Sequence, residues 1–181
     1  MSLTLINPAA AEPVTLADAK EHLRVTDVAE DAFIAGVLAA AVRSIEARGG
    51  LALMTQGWRL TLDAAPDETL ILPVTPVQTI DAVTVSGADV DPSAYEKAIG
   101  SPGRLRAAAP WPAPARAIGD VAIDFTAGYA TEGDVPGPLK HAVLMLTAHF
   151  YENRESAGEA RVYTVPRSVD ALIAPFREFR L

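Results

Sequence analysis

Residues 120–155 read DVAIDFTAGYATEGDVPGPLKHAVLMLTAHFYENRE, and within that stretch the apolar residues change their period. From Val121 to Ala127 every second residue is apolar, which predicts a strand with one buried face and Asp124 pointing outward. After Pro136 and Pro138, residues suited to a helix start, Leu139, Ala142, Val143, Leu146 and Phe150 recur at helical spacing. The glycines of TAGYATEGD fit the turn between them. A strand thus hands over directly to a long apolar helix, and the fold class depends on what lies on either side.

Upstream, WRLTLDA, ETLILPV, VQTIDAVTVSG, AYEKAIG and GRLRA are short, alternating or β-branched segments parted by Gly, Pro and Asp. Residues 56–130 therefore read as a small antiparallel β lobe. The Pro-rich stretch AAAPWPAPARAIG inside it reads as a stiff loop, because it has no PxxP flanked by basic residues in a tail.

Before the lobe, two helices are expected. Thr15 is placed to cap the first, with Asp18 in its first turn like the acid of a capping box. The second should run from about Glu30 to Arg48, with Phe33, Ile34, Val37, Leu38, Ala41 and Ile45 as its stripe and Gly49 as a left-handed stop. Residues 1–14 read as a flexible arm. Beyond the long helix, VPRSVDALIAPFREFRL predicts a last helix capped by Ser168 and bent or ended near Pro175. The expected architecture is α+β: a helical bundle of two N-terminal and two C-terminal helices, with the β lobe of residues 56–130 inserted into a single domain spanning 15–181.

Composition narrows the function classes. Half of the 181 residues are hydrophobic, enough for a sizeable core, and there is no cysteine, so thiolate chemistry and disulfides are excluded. The first residues lack the pattern of a signal peptide and no stretch approaches a membrane span, so the expectation is a soluble protein made in the cytosol. The net charge of −8 divides into −3 for residues 1–50 (4 basic, 7 acidic), −6 for 51–135 (5 and 11) and +1 for 136–181 (6 and 5). A chain this acidic lacks the electrostatic footprint of tight nucleic-acid binding.

Candidate chemistry is sparse. His141, His149 and Glu152 lie on one helix, where three ligands at that spacing cannot all reach one ion, so a surface hydrogen bond or ion pair is the plainer reading. His22 near the end of the first helix suits the helix dipole. Asp120, Asp124 and Asp134 lie on or beside one strand, and the alternation explains Asp124 as outward-facing. No phosphate-binding glycine loop and no nucleophile elbow occurs. These residues leave an enzyme possible but give it no support.

The landmarks PVTLADAKEHLRV, EARGGLALMTQGW, LPVTPVQTIDAVTV, FTAGY before VP, and HFYENRE, kept in this order from Pro13 to Arg180, resemble the head-tail connector (adaptor) proteins of long-tailed bacteriophages and gene transfer agents. The resemblance implies a structural subunit of a ring, usually dodecameric, at the head-tail junction of the particle, assembled in the bacterial cytoplasm; such a subunit is no enzyme and needs no cofactor or metal. The alternatives are another tail-junction ring protein (stopper or terminator), or a small cytoplasmic enzyme of unknown reaction. The partners that the resemblance implies are further copies of the chain, the portal protein and the next tail component, a stopper or terminator. DNA would pass through the ring without specific binding, and an acidic channel wall, to which Asp63, Asp67, Glu68, Asp89 and Asp91 are candidates, would repel it.

Two residue sets are then singled out. Phe176, Arg177, Phe179, Arg180 and Leu181 combine anchor types at the least acidic end of the chain and are the candidates for portal binding. Tyr151, Asn153, Arg154 and Glu155, the polar end of the long helix, are the candidates for the contact between subunits.

Overall fold

The structure, a computed structural model, describes residues 1–153 and 165–177. The chain divides into two compact units, one made of Met1–Ala10 with Met54–Ala130, the other of Ala11–Leu53 with Thr131–Leu181. The class is α+β, with four α-helices and antiparallel sheets among the described residues.

The first unit is built on a five-stranded antiparallel sheet. It contains β1 (Ser2–Asn7), β2 (Gln56–Leu62), β4 (Val77–Val85), β5 (Ala88–Asp89) and β8 (Val121–Ala127), ordered β1-β2-β8-β4-β5. A smaller sheet of β3 (Leu70–Ile71), β6 (Tyr95–Ala98) and β7 (Arg104–Ala107) has the order β3-β7-β6. The central strand β8 buries Val121, Ile123, Phe125 and Ala127 completely. Its register sets Phe125 opposite Trp58 and Ile80, and Ile123 opposite Leu60 and Val83, so the alternation read in the sequence becomes one continuous apolar face. Lys97 Nζ donates to the Ile80 carbonyl at 3.3 Å and Val77 bridges Gly100, which ties the smaller sheet to β4.

The chain leaves β8 through Gly128, and here the FTAGY landmark acquires a physical reason. Gly128 has φ +115°, and a Cβ on it would overlap the Met54 carbonyl. Its N–H donates to the Pro76 carbonyl at 2.8 Å, while its own carbonyl accepts from Gln78 Nε2 at 2.7 Å.

Residues 2–7 correct the expected flexible arm. They form β1, paired antiparallel with β2 from Ser2↔Thr61 to Asn7↔Gly57, with an irregularity between Leu5 and Asn7. All six are exposed, so this strand carries none of the burial that marks a strand in a sequence. The Leu3, Leu5 alternation was present, but too short to be told from a tail.

The second unit is helical: α1 (Leu16–Leu23), α2 (Asp31–Gly49), α3 (Gly137–Glu152) and α4 (Arg167–Ile173), with a 3-10 turn at Ala174–Phe176. Thr15 caps α1 as expected: its hydroxyl accepts from the Asp18 N–H, and the Asp18 carboxylate accepts from the Thr15 N–H. Lys20 pairs with Asp31, joining α1 to the start of α2. The core of the unit draws on Ile34, Leu38 and Ile45 of α2, Leu139, Val143 and Leu146 of α3, and Val169 and Ile173 of α4. Each fully buried Leu or Ile contributes about 1.5–3 kcal/mol relative to exposure.

Two helix ends differ from the sequence expectation. Gly49 is the last residue of α2, buried against Leu51 and Ile173, and Gly50 takes the left-handed position at φ 64°. The Glu46 carboxylate then accepts from the Leu53 N–H at 2.9 Å, which fixes the path of the following segment. Ser168 lies inside α4, whose N-cap is Pro166 with no side-chain cap bond. The fixed φ of the proline suits the extended backbone at the entry, and Ser168 falls one residue inside the start of the helix.

Candidate interaction surfaces

The polar end of α3 is first of all a helix terminus. Asn153 is its C-cap, and its side-chain nitrogen donates to the His149 carbonyl at 2.7 Å and lies 3.3 Å from His149 Nδ1. The Asn153 backbone N–H donates to the same carbonyl at 3.2 Å, so the His149 oxygen accepts twice from the capping residue. Tyr151, half-buried, sets its ring 6.0 Å from Phe33 of α2. The other members of that candidate set, Arg154 and Glu155, lie outside the described residues.

At the C-terminal candidate site, Phe176 closes the 3-10 turn and is half-buried. Arg177 Nη2 donates to Asp170 Oδ1 at 2.9 Å, and Arg48 Nη1 reaches the same oxygen at 3.4 Å. One carboxylate therefore gathers two guanidinium groups, Arg48 from the end of α2 and Arg177 from just past the 3-10 turn. Arg177 Nε is buried without a hydrogen-bond partner among the described residues. Phe179, Arg180 and Leu181 lie outside the described residues.

The residues weighed as chemistry are committed elsewhere. His141 presents its ring edgewise to His22 at 6.2 Å, and His149 lies 6.1 Å from Phe150. Among the described residues no group of three His, Cys, Asp or Glu is arranged to hold a metal ion. Asp124 accepts both Nε and Nη2 of Arg59 at 2.7 Å, a bidentate pair that raises the arginine's pKa through the hydrogen bond and the charge. Asp120 accepts from Ser86 Oγ and from the backbone N–H of Ala115 and Arg116, which hold its carboxyl below the usual value, the serine most of all. Asp134 closes a capping box with Thr131. The three aspartates thus serve three separate local structures.

An open cleft of about 530 Å³ lies in the helical unit beside Asp18, Glu21, His22, Glu132 and Lys140. Asp18 is bound to Thr15, whose hydroxyl holds its carboxyl below the usual value, and Lys140 pairs with Glu132 at 3.2 Å. Asp63, Asp67, Glu68, Asp89 and Asp91 are all exposed. What these side chains offer is surface: caps, ion pairs and exposed carboxylates on two small cores.

Comparisons with known proteins assign the chain to a class of structural virion proteins. The family model for head completion proteins matches residues 12–178, and the chain belongs to that family. Among solved structures, a chain from the "Neck of empty GTA particle computed with C6 symmetry" is 31% identical with a TM-score of 0.81, covering 100% of this chain and 97% of that one. A chain from the "Virion of native gene transfer agent (GTA) particle" is 31% identical with a TM-score of 0.80, and one from the "Neck of native GTA particle computed with C12 symmetry" is 29% identical with a TM-score of 0.79, at the same coverages. No curated protein matches the chain. The resemblance to head-tail connectors drawn from the sequence landmarks is borne out.

Proposed function

We propose that the protein is a structural, non-enzymatic subunit of the neck, at the head-tail junction of a phage-like or gene transfer agent particle. In this reading twelve copies form a ring that joins the portal to the next tail component and lines part of the DNA channel. The observation that carries it is the likeness, over the whole chain, to chains of a gene transfer agent neck. Necks computed with C6 and C12 symmetry are both compatible with a twelvefold ring, since the sixfold operation is contained in the twelvefold one.

The net charge of −8 suits a conduit for DNA, because carboxylates repel phosphate within a Debye length. Phe176 and Arg177 at the end of the described chain are the proposed portal contacts, together with Phe179, Arg180 and Leu181. Tyr151 and Asn153, with Arg154 and Glu155, are the proposed contacts between subunits. The test is electron microscopy of purified particles labelled with an antibody against the chain. Label at the head-tail junction is expected, and particles without label would overturn the reading.

A further inference from the structure

Strand β1 is built like an interface that the single chain does not complete. It stands at one end of the five-stranded sheet, and among the described residues no strand pairs with its outer edge. Leu3 lies opposite Leu60 and Leu5 opposite Trp58, so both leucines are on the sheet face that carries the core. Leu60 is fully buried, yet Leu3 is 39% and Leu5 43% exposed. Ile6, beside the irregularity in the pairing, is 44% exposed.

Natural sheets protect an open edge with lysines, prolines, inward charges, bulges or very short strands. Ser2–Asn7 has none of these except the bulge near Asn7, and no charged side chain occurs before Glu12. Fixing six residues costs about 1–2 kcal/mol each in backbone entropy, which an exposed strand does little to offset by burial. A second strand laid along β1 would satisfy its outer N–H and C=O groups and cover Leu3 and Leu5.

We propose that this partner is a second copy of the same chain, so that the sheet continues across the subunit boundary. The inference rests on the ring reading above. Charge favours it: two chains of net −8 repel over most of their surfaces, and the uncharged run Ser2–Ala11 is where identical acidic subunits approach at least cost. Cyclic symmetry adds a constraint, since a closed ring needs a heterologous contact. β1 therefore meets a different edge of its neighbour and not the neighbour's own β1, which would give an isolated pair.

The experiment places the photo-crosslinking residue benzoylphenylalanine at Leu5 of the full chain in assembled particles. Irradiation is expected to give a product of twice the chain's mass containing only this chain. A crosslink to a different protein, or none, with the chain present in the particles, overturns the proposal and leaves the neck reading standing. A chain absent from the particles overturns that reading, and this proposal with it. As a second measurement, Leu3→Glu with Leu5→Glu should lower incorporation into particles at least about tenfold, with the circular dichroism of the isolated chain unchanged. Normal incorporation of this variant overturns the proposal.

Discussion

Strands β8 and β1 belong to the same sheet and alternate in the same way, yet they stand at opposite extremes of burial. Phe125 of β8 has neighbours on both sides and no exposure, whereas Leu5 of β1 has a strand on one side and is 43% exposed. Alternation specifies which face a side chain takes. Burial depends on how many neighbours the strand has, and that is a property of the whole sheet.

The largest expected contrast follows directly. Phe125→Ala should cost about 3–5 kcal/mol in urea unfolding of the isolated chain, through lost burial and the cavity left behind. Leu5→Ala should stay within about 0.5 kcal/mol in the same assay, as an exposed site. Equal losses at the two positions would mean that Leu5 is covered in the free chain, and the contrast between the strands would collapse.

A smaller effect tests a local structure that owes nothing to sheets. Thr15→Ala should cost about 1 kcal/mol by removing the α1 cap. Asp18, whose carboxyl is held below its usual value chiefly by the Thr15 hydroxyl, adds a pH signature. Its folded value lies below its unfolded one, so its contribution is present above the unfolded value and is lost as pH falls through the folded one. The stability difference between wild type and Thr15→Ala should therefore narrow on acidification below about pH 4. A difference constant through that range would sever Asp18 from the cap.

The smallest effect concerns the solvent face of the sheet. Arg59 and Asp124 form a bidentate pair between β2 and β8, but the arginine side chain is 51% exposed. A double-mutant cycle with Arg59→Ala and Asp124→Ala should give a coupling of about 0.2–1 kcal/mol that shrinks with added salt. A larger, salt-independent coupling would make this face as much a part of the fold as the face carrying Phe125.

Much of the fold was legible because its signals are local. Thr15 and Asp18 announce α1 within four residues, the stripe from Ile34 to Ile45 announces α2, and Val121–Ala127 displays its buried face as alternation. β1 was missed because its partner β2 lies about fifty residues away in sequence and its side chains stay in solvent. Ser168 misled because capping residues are favoured by type, whereas Pro166 set the actual entry to α4. The polar residues that end α3 were read as contacts alone. Asn153 is first a cap on the His149 carbonyl, a local role that neither requires nor forbids a contact with a neighbouring subunit.

The Pro-rich loop between β7 and β8 is fastened at its far end by carboxylates, Asp63 accepting from the Gly119 N–H and Asp120 from Ala115 and Arg116. At its near end Trp111 Nε1 donates to the Ala94 carbonyl, and between these anchors Pro112 and Ala113 lie in solvent. A segment anchored on both sides can be lengthened cheaply, since each doubling of a flexible loop costs only about 0.6 kcal/mol. An epitope spliced between Pro112 and Ala113 would give particle imaging a built-in marker, displayed on a tether whose footings the protein already holds.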